Sequence, residues 1–329
     1  MLALCWSVVL STCAAQSDPA DAPAPLEGIY SRAEVSGPRG TFVTELVSLA
    51  DGRVRFSQTH PDRRTELLAI GDDAWSREGE AAFVPAEAGT AAFVHGHDVP
   101  RLAAARPGPP ARLELARSTD RGGAGIVIEL ADWRRAIDRD LPHAATFVDE
   151  RNGERFAYRY THLLPFRLAP GCVLPDEPSA LHARLGDLGA LALAHERVMA
   201  AHRASDADAL VAGGAEVTTV SGRGRLTTAT RSQFLERMRG YLGSIRFTRY
   251  VDTAVPVVAV SADGTLGWLA CEMAAAGTST APETSTEGAG EPIAYAFSWV
   301  ELYARPLGGA TGQGTGDWVA IGNASSERP

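Results

Sequence analysis

The segment Leu185–Asp208 constrains the fold more than any other part of the chain. Its apolar residues recur at helical spacing, which predicts an amphipathic α-helix that ends near Ser205. Two histidines, His195 and His202, stand seven residues apart on its apolar stripe. The complete stripe consists of Leu188, Leu191, Ala192, His195, Val198, Met199 and His202.

Two titratable rings on an apolar face need hydrogen-bond partners, because a buried polar group without one costs about 1–3 kcal/mol. One interpretation is that both histidines are satisfied core or edge residues. The other is that they line a pocket within the core. The residues of the helix alone leave both interpretations open.

Length and charge narrow the class of protein. The 329 residues, 45% of them hydrophobic, are enough for two globular domains. The net charge of −9 and the lack of a basic patch argue against nucleic acid as a partner. The sequence shows no Cys/His cluster with zinc spacing and no phosphate-binding loop, so neither a metal nor a cofactor is predicted.

Residues 1–15 are typical of a signal segment. The apolar run Leu2–Leu10 is too short to span a bilayer and is followed by small residues. Cys13 lies in a near-lipobox, which makes it a candidate for lipidation and membrane anchoring. Lipid-anchored and soluble periplasmic forms are both open, and each predicts export to a bacterial envelope. A Pro/Ala/Asp-rich linker is predicted at residues 16–25.

Residues 26–174 carry the alternating pattern of β-strands. An Asp-Gly pair at 51–52 separates two alternating runs and predicts a hairpin, and residues 66–77 predict a second one. The run GDDAWSREG at 71–79 and the segment 130–149 resemble the lipoprotein-localisation-factor (LolA/LolB-like) half-barrels. The resemblance implies an antiparallel half-barrel that is open on one side and takes up acyl chains or partner peptides.

A linker is predicted at residues 175–180, where two prolines interrupt the chain and the apolar period changes from 2 to 3.6. In residues 181–329, two helices precede a run of strands. This part resembles the SnoaL-like branch of the nuclear-transport-factor-2-like (NTF2-like) cones at residues 193–216, 231–242, 247–268, 297–308 and 317–326. That resemblance implies helices packed in a curved antiparallel sheet. Together the two halves predict an α+β fold, a half-barrel-like domain followed by a cone.

Strand alternation selects the residues that could face the first helix of the cone. Trp299 and Glu301 share one face of a strand, and Trp268 and Glu272 share one face of another. The predicted pocket therefore holds His195, His202, Trp268, Glu272, Trp299 and Glu301. For the two glutamates, an exposed sheet face is the alternative interpretation.

Two functions fit these features. An exported, non-catalytic protein that binds a small hydrophobic molecule or lipid is favoured, because no catalytic motif of the resembled families falls on a specific position. The alternative is an isomerase or dehydratase acting on a small hydrophobic carbonyl compound in the cone, which the two histidines favour. A homodimer through the cone sheet is also predicted. Whether Cys172 pairs with Cys271 is left open.

Overall fold

The fold consists mainly of strands. The computed structural model describes residues 25–38, 40–106, 108–115, 126–150, 152–210, 216–221, 224–280, 290–305 and 318–327. Of these residues, 53% lie in strands and 22% in helices. All 17 described strands belong to one large mixed sheet that does not close. The predicted α+β fold, a half-barrel followed by a helix-packed cone, is therefore wrong.

The first ten strands form a largely meandering antiparallel arrangement. They are β1 (Glu27–Gly37), β2 (Gly40–Leu49), β3 (Arg53–Thr59), β4 (Arg64–Ile70), β5 (Asp73–Glu78), β6 (Val84–Pro85), β7 (Arg112–Leu115), β8 (Ile126–Ala136), β9 (Arg139–Asp149) and β10 (Arg155–Leu168). Two short helices, α1 (Thr90–Gly96) and α2 (Val99–Ala104), follow β6. Both predicted hairpins are confirmed: β2 pairs with β3 and β4 with β5, and Gly52 and Gly71 adopt positive φ in the two turns.

The remaining elements begin with a long helix. They are α3 (Pro178–Ala204), a short 3-10 helix (Asp208–Leu210), β11 (Glu216–Val220), β12 (Leu226–Thr230), α4 (Arg231–Gly243), β13 (Ile245–Asp252), β14 (Val257–Val260), β15 (Leu266–Ser279), β16 (Pro292–Ala304) and β17 (Val319–Glu327). Among the described residues, no helix has the length and apolar content needed to cross a membrane.

One strand pairing explains why the two halves share a sheet. β10 runs parallel to β14, with Arg167 opposite Val257 and Leu168 opposite Val258. This pairing joins the antiparallel strands before α3 to those after it. Strand alternation in a sequence shows which residues share a face, but it does not show which strand edges meet. Because the sequence does not reveal the pairing of β10 with β14, it predicted two separate units, a half-barrel followed by a cone.

Helix α3 lies at the centre of the molecule. Glu177 caps its start, because its side chain accepts hydrogen bonds from the backbone N–H groups of Ser179 and Ala180 at 3.0 and 2.6 Å. At its other end, Ser205 adopts a left-handed conformation with φ 54°. The helix therefore begins inside the linker predicted at residues 175–180 and ends where its apolar period predicted.

The largest core cluster surrounds α3 and draws on both halves of the chain. Tyr30 and Val47, from β1 and β2, belong to the same cluster as Leu188 of α3 and as Leu269 and Met273 of β15. Burying apolar surface stabilises a fold by about 25 cal/mol per Å². Because strands from before and after α3 pack against it, both parts of the chain contribute to holding the helix in place. The predicted division into domains at residues 26–174 and 181–329 stays a prediction.

The outer face of the last three strands exposes large apolar side chains. Leu266, Leu302 and Ile321 are 51%, 44% and 37% exposed. The sequence predicts a homodimer through the cone sheet, and the dimer stays a prediction.

Half-buried His97, just after α1, is expected to make the fold less stable in acid. Burial lowers the pKa of His97 to about 4, although Nδ1 donates a hydrogen bond to the carbonyl of Phe93 at 2.8 Å. Between pH 6.5 and 4, His97 is protonated in the unfolded chain but not in the folded chain. The free energy of unfolding therefore falls as the pH drops below 6.5. The loss from this group is about 3 kcal/mol.

Denaturant unfolding at pH 7.5 and 4.5 measures this effect in the native protein and in His97→Phe. The ring stacks on Phe147 at 5.1 Å between centroids, and phenylalanine preserves that contact. We expect the variant to lose less stability in acid than the native protein does. An equal loss in both proteins would show that His97 is not the group responsible.

Candidate functional site

A cavity of about 580 Å³, here called the main cavity, lies where α3 and α4 meet strands β11, β13, β16 and β17. Its wall is mostly aromatic and aliphatic. The lining residues are Val198, His202, Leu210, Val217, Phe234, Met238, Tyr241, Ile245, Tyr250, Tyr295, Ala296, Phe297, Trp299, Glu301, Tyr303, Ala320, Gly322, Asn323 and Ser325. Concave, mainly apolar spaces of this size with a few polar groups are typical of small-molecule sites.

A second cavity of about 380 Å³ is lined by His195 of α3, which does not line the main cavity. His195 and Asp252 line it, together with Arg249, Phe166 and Leu269. The imidazole of His195 therefore lies between the second cavity and Glu301, which lines the main cavity.

His202 contributes a neutral ring to the main cavity. Its Nδ1 donates to the carbonyl of Val198 at 2.8 Å, one turn back along α3. The ring stacks on Tyr250, with 4.3 Å between centroids and 9° between planes. Burial lowers the pKa of His202, so the ring is uncharged at neutral pH and Nε2 is a hydrogen-bond acceptor.

His195 is held between two carboxylates. Its Nδ1 lies 3.2 Å from Oε2 of Glu301, and its Nε2 lies 3.1 Å from Oδ1 of Asp252. Carboxylates only accept hydrogen bonds, so both nitrogens donate and the ring is an imidazolium. Burial lowers the pKa of His195, but the charge of Glu301 and the hydrogen bonds to Asp252 and Glu301 outweigh it and raise the pKa to about 10.

Glu301 connects this ion pair to the main cavity. Tyr303 donates its hydroxyl to Oε2 of Glu301 at 2.6 Å, so the two recorded bonds of this carboxylate converge on one oxygen. Burial raises the pKa of Tyr303, which keeps the hydroxyl protonated as a donor. The carboxylate is thereby fixed in the cavity wall by a histidine and a tyrosine.

The structure brings together four of the six predicted pocket residues. His202, Trp299 and Glu301 line the main cavity, and His195 bonds to Glu301 behind its wall. Trp268 and Glu272 line neither the main nor the second cavity. They lie half-buried on the opposite face of β15.

The register of β15 against β16 explains why these two residues were misplaced. Leu269 lies opposite Glu301, and Cys271 lies opposite Trp299. Directly opposed residues of an antiparallel pair share a face, so β15 turns Leu269 and Cys271 inward. The sequence analysis placed Trp268 and Glu272 on the same face as Trp299 and Glu301, which is one residue out of register. A shift of one residue exchanges the two faces of a strand.

Sequence reasoning left further residues out of the site, among them Tyr303, Asp252 and Tyr250. Tyr303 shares its strand face with Glu301 at a spacing of two, which is a usable signal. Asp252 ends β13, and Tyr250 precedes it by two residues on the same strand. Nothing local in the sequence indicates that the end of β13 meets the middle of α3.

Three metal-binding types of side chain also meet beside His195. A ring nitrogen of His195, a carboxylate oxygen of Asp252 and Sγ of Cys271 all lie within 4.8 Å of one another. Cys271 and Cys172 are both free thiols, so they do not pair with each other. Burial raises the pKa of the Cys271 thiol.

Comparison with known proteins gives matches among solved structures. No protein-family model matches the chain, and no curated protein does. Among solved structures, a ketosteroid isomerase-like protein from Erwinia carotovora atroseptica is similar over 44% of this chain and 97% of its own, with 14% identity and a TM-score of 0.34. An NTF2-like superfamily protein from Salmonella enterica serovar Typhimurium is similar over 44% and 92%, with the same identity and TM-score.

A third similar structure is Aln2 from a Streptomyces species, which covers 47% of this chain and 94% of its own at 14% identity and a TM-score of 0.33. The neighbours thus include NTF2-like proteins, over less than half of the chain. At this identity and TM-score the likeness decides neither fold nor function. No solved structure among these supports the LolA/LolB-like resemblance of residues 26–174.

Proposed function

We propose that the protein binds, in the main cavity, a small and mostly apolar molecule that carries a hydrogen-bond donor. One observation carries this proposal: the apolar wall is interrupted by two fixed acceptors, the carboxylate of Glu301 and Nε2 of His202. Apolar surface supplies affinity for such a molecule, and a few placed polar groups orient it.

The acceptors also select the polar group of the ligand. A buried acceptor that meets no donor costs about 1–3 kcal/mol, whereas a hydrogen bond to a charged group contributes about 1.5–3 kcal/mol. A hydroxyl or amine satisfies Glu301 or His202. A carboxylate ligand is repelled by Glu301, because like charges in a partly desolvated site oppose each other.

Binding without catalysis is favoured by the state of His195. Both of its ring nitrogens donate to carboxylates, so neither offers a lone pair to take a proton from a ligand. The ring therefore fixes Glu301 in position and does not act as a base.

The alternative, an isomerase or dehydratase, is supported by His202. Its neutral ring keeps the Nε2 lone pair within a cavity lined by aromatic rings. A neutral imidazole beside a bound carbonyl compound has the form of a general base. In this alternative, His202 takes a proton from the carbon next to the carbonyl group.

Three matched probes test the binding proposal: 2-naphthol, naphthalene and 2-naphthoate. They share one ring system. 2-Naphthol adds a hydroxyl donor, 2-naphthoate adds an anionic carboxylate, and naphthalene has no polar group. We expect 2-naphthol to bind at least about tenfold more tightly than naphthalene, since one hydrogen bond to a charged group contributes about 1.5 kcal/mol. Naphthoate is expected to bind least. Equilibrium dialysis of the full chain measures all three affinities.

Two variants on β17 locate the site. Ala320 lines the main cavity, and Ala320→Phe fills part of it. Ile321, its neighbour, is exposed, so Ile321→Phe is the matched control. We expect Ala320→Phe to weaken 2-naphthol binding at least about tenfold while the control changes nothing. Equal affinities in the two variants, or tighter binding of naphthoate than of naphthol, would contradict the proposal.

The same purified protein is used to distinguish the enzymatic alternative from non-catalytic binding. Apolar ketones that bind are incubated with the protein in deuterium oxide, and proton exchange next to the carbonyl is followed by nuclear magnetic resonance. Exchange that His202→Gln abolishes would support the alternative. Binding without exchange leaves the non-catalytic function in place.

Export to the bacterial envelope remains part of the proposal. It rests on the signal segment at residues 1–15 and on Cys13, which lie outside the described residues. The expected partners, a lipid or small hydrophobic molecule and a membrane reached through Cys13, are proposals on the same footing.

A further inference from the structure

We propose that His195, Asp252 and Cys271 form a zinc site that opens into the second cavity. The three side chains come from the middle of α3, the end of β13 and the inner face of β15. Their ligand atoms lie within 4.8 Å of one another. Imidazole nitrogen, carboxylate oxygen and thiolate sulfur are the donors that zinc takes in proteins.

The surroundings of His195 are those of a metal-binding histidine. A histidine that binds a metal through one nitrogen typically donates its other N–H to a carboxylate, which fixes the ring. Here Nδ1 donates to Glu301 at 3.2 Å, and Tyr303 in turn fixes Glu301 at 2.6 Å. Nε2, the remaining nitrogen, is the atom that points toward Asp252.

Small shifts suffice to convert this arrangement into a zinc site. Zinc bonds of about 2.0–2.3 Å place neighbouring ligand atoms of a tetrahedron about 3.3–3.8 Å apart. Nε2 of His195 and Oδ1 of Asp252 are 3.1 Å apart. Sγ of Cys271 lies within 4.8 Å of a ring nitrogen of His195 and of a carboxylate oxygen of Asp252. Movements of about 1 Å therefore bring the three donors into range.

Charge is conserved when the metal binds. Before binding, the group holds an imidazolium, a neutral thiol and the two carboxylates of Asp252 and Glu301. Zinc replaces the proton on Nε2 and the proton of Cys271, and both protons leave to solvent. The two positive charges of the ion balance the two lost protons, so the net charge of the buried group stays the same.

Three protein ligands leave one coordination position. His195 and Asp252 line the second cavity, whose volume of about 380 Å³ admits water or a small ligand to that position. A zinc site with three protein ligands and an exchangeable fourth is the arrangement found in catalytic zinc proteins. The site thus lies on the side of His195 away from the main cavity, and it does not depend on the ligand proposed there.

Cobalt(II), a spectroscopic substitute for zinc, tests the site. The full chain is freed of metal with a chelator and titrated with Co²⁺, and Zn²⁺ is then added as a competitor. We expect one Co²⁺ per chain, a thiolate-to-cobalt absorption band in the near ultraviolet, and loss of the band when zinc displaces the cobalt.

Matched variants identify the ligands. Cys271→Ser is expected to lose the band and to weaken zinc binding at least about 100-fold, whereas Cys172→Ser, the same change outside the cluster, keeps both. Asp252→Asn preserves the size of its side chain and is expected to keep the band but weaken cobalt binding at least about tenfold. Circular dichroism confirms that each variant is folded.

Two results would overturn the proposal. One is native protein that shows no cobalt band; the other is a band that survives in folded Cys271→Ser. Binding of 2-naphthol in the main cavity is measured separately, so failure of the zinc site leaves the proposed function untouched, and the reverse also holds.

Discussion

In metal-free protein, replacing His195 with leucine is expected to lower the free energy of unfolding by about 3–5 kcal/mol. The substitution leaves the carboxylates of Glu301 and Asp252 without the imidazolium that they share. Glu301 is 6% exposed, so water cannot replace the lost partner. The added apolar surface of leucine does not offset an uncompensated buried charge.

His202→Leu is the matched control, since it is the same change on the same helix face seven residues later. His202 donates only to the carbonyl of Val198, so its loss is expected to cost about 0.5–1.5 kcal/mol. Denaturant unfolding with a chelator present measures both variants. Similar losses in the two would show that the carboxylates around His195 do not depend on its charge.

From sequence alone, His195→Leu is expected to be tolerated in folding, because leucine adds apolar area at a core-facing position, and to abolish ligand binding or turnover in the cone. The structure reverses this expectation through Asp252 and Glu301, which come from β13 and β16. The period of the helix predicts that a ring points into the core, but not which charges surround it there. Those partners are set by long-range packing of α3 against strands whose positions the sequence does not reveal.

Local signals in the sequence were reliable and distant ones were not. The hairpins around Gly52 and Gly71 follow from turn chemistry within a few residues and are confirmed. The single large sheet depends on β10 meeting β14, about 90 residues later, through only two residue pairs. No pattern in either strand indicates that contact, so the predicted α+β fold, a half-barrel followed by a cone, was wrong.

The candidate site shows the same difference between local and long-range signals. The helical period predicts His195 and His202, and strand alternation predicts Trp299 and Glu301. Trp268 and Glu272 were misplaced because alternation fixes the two faces of a strand but not which face turns inward. That choice is made by register, and the pairing of Leu269 with Glu301 decides it.

Gly189→Val is expected to destabilise the protein by about 3 kcal/mol, the upper part of the range for overpacking a core. A Cβ added at Gly189 lies 2.7 Å from Cγ2 of Val47 and 2.8 Å from Cδ2 of Tyr30. Both neighbours are buried, at 0% and 4% exposure, so neither side chain can move away. Helix α3 must therefore shift away from β1 and β2.

Gly240→Val on α4 is the matched control, because a Cβ there meets nothing within 4 Å. Valine has a slightly higher helix propensity than glycine, so this variant is expected to gain a few tenths of a kcal/mol. Denaturant unfolding compares both variants with the native chain.

A shift of α3 also moves His195, six residues further along the helix, relative to Glu301. Gly189→Val should therefore weaken cobalt binding as well as stability, and a variant that lost stability while keeping full cobalt affinity would show that the contact with β1 and β2 does not position His195.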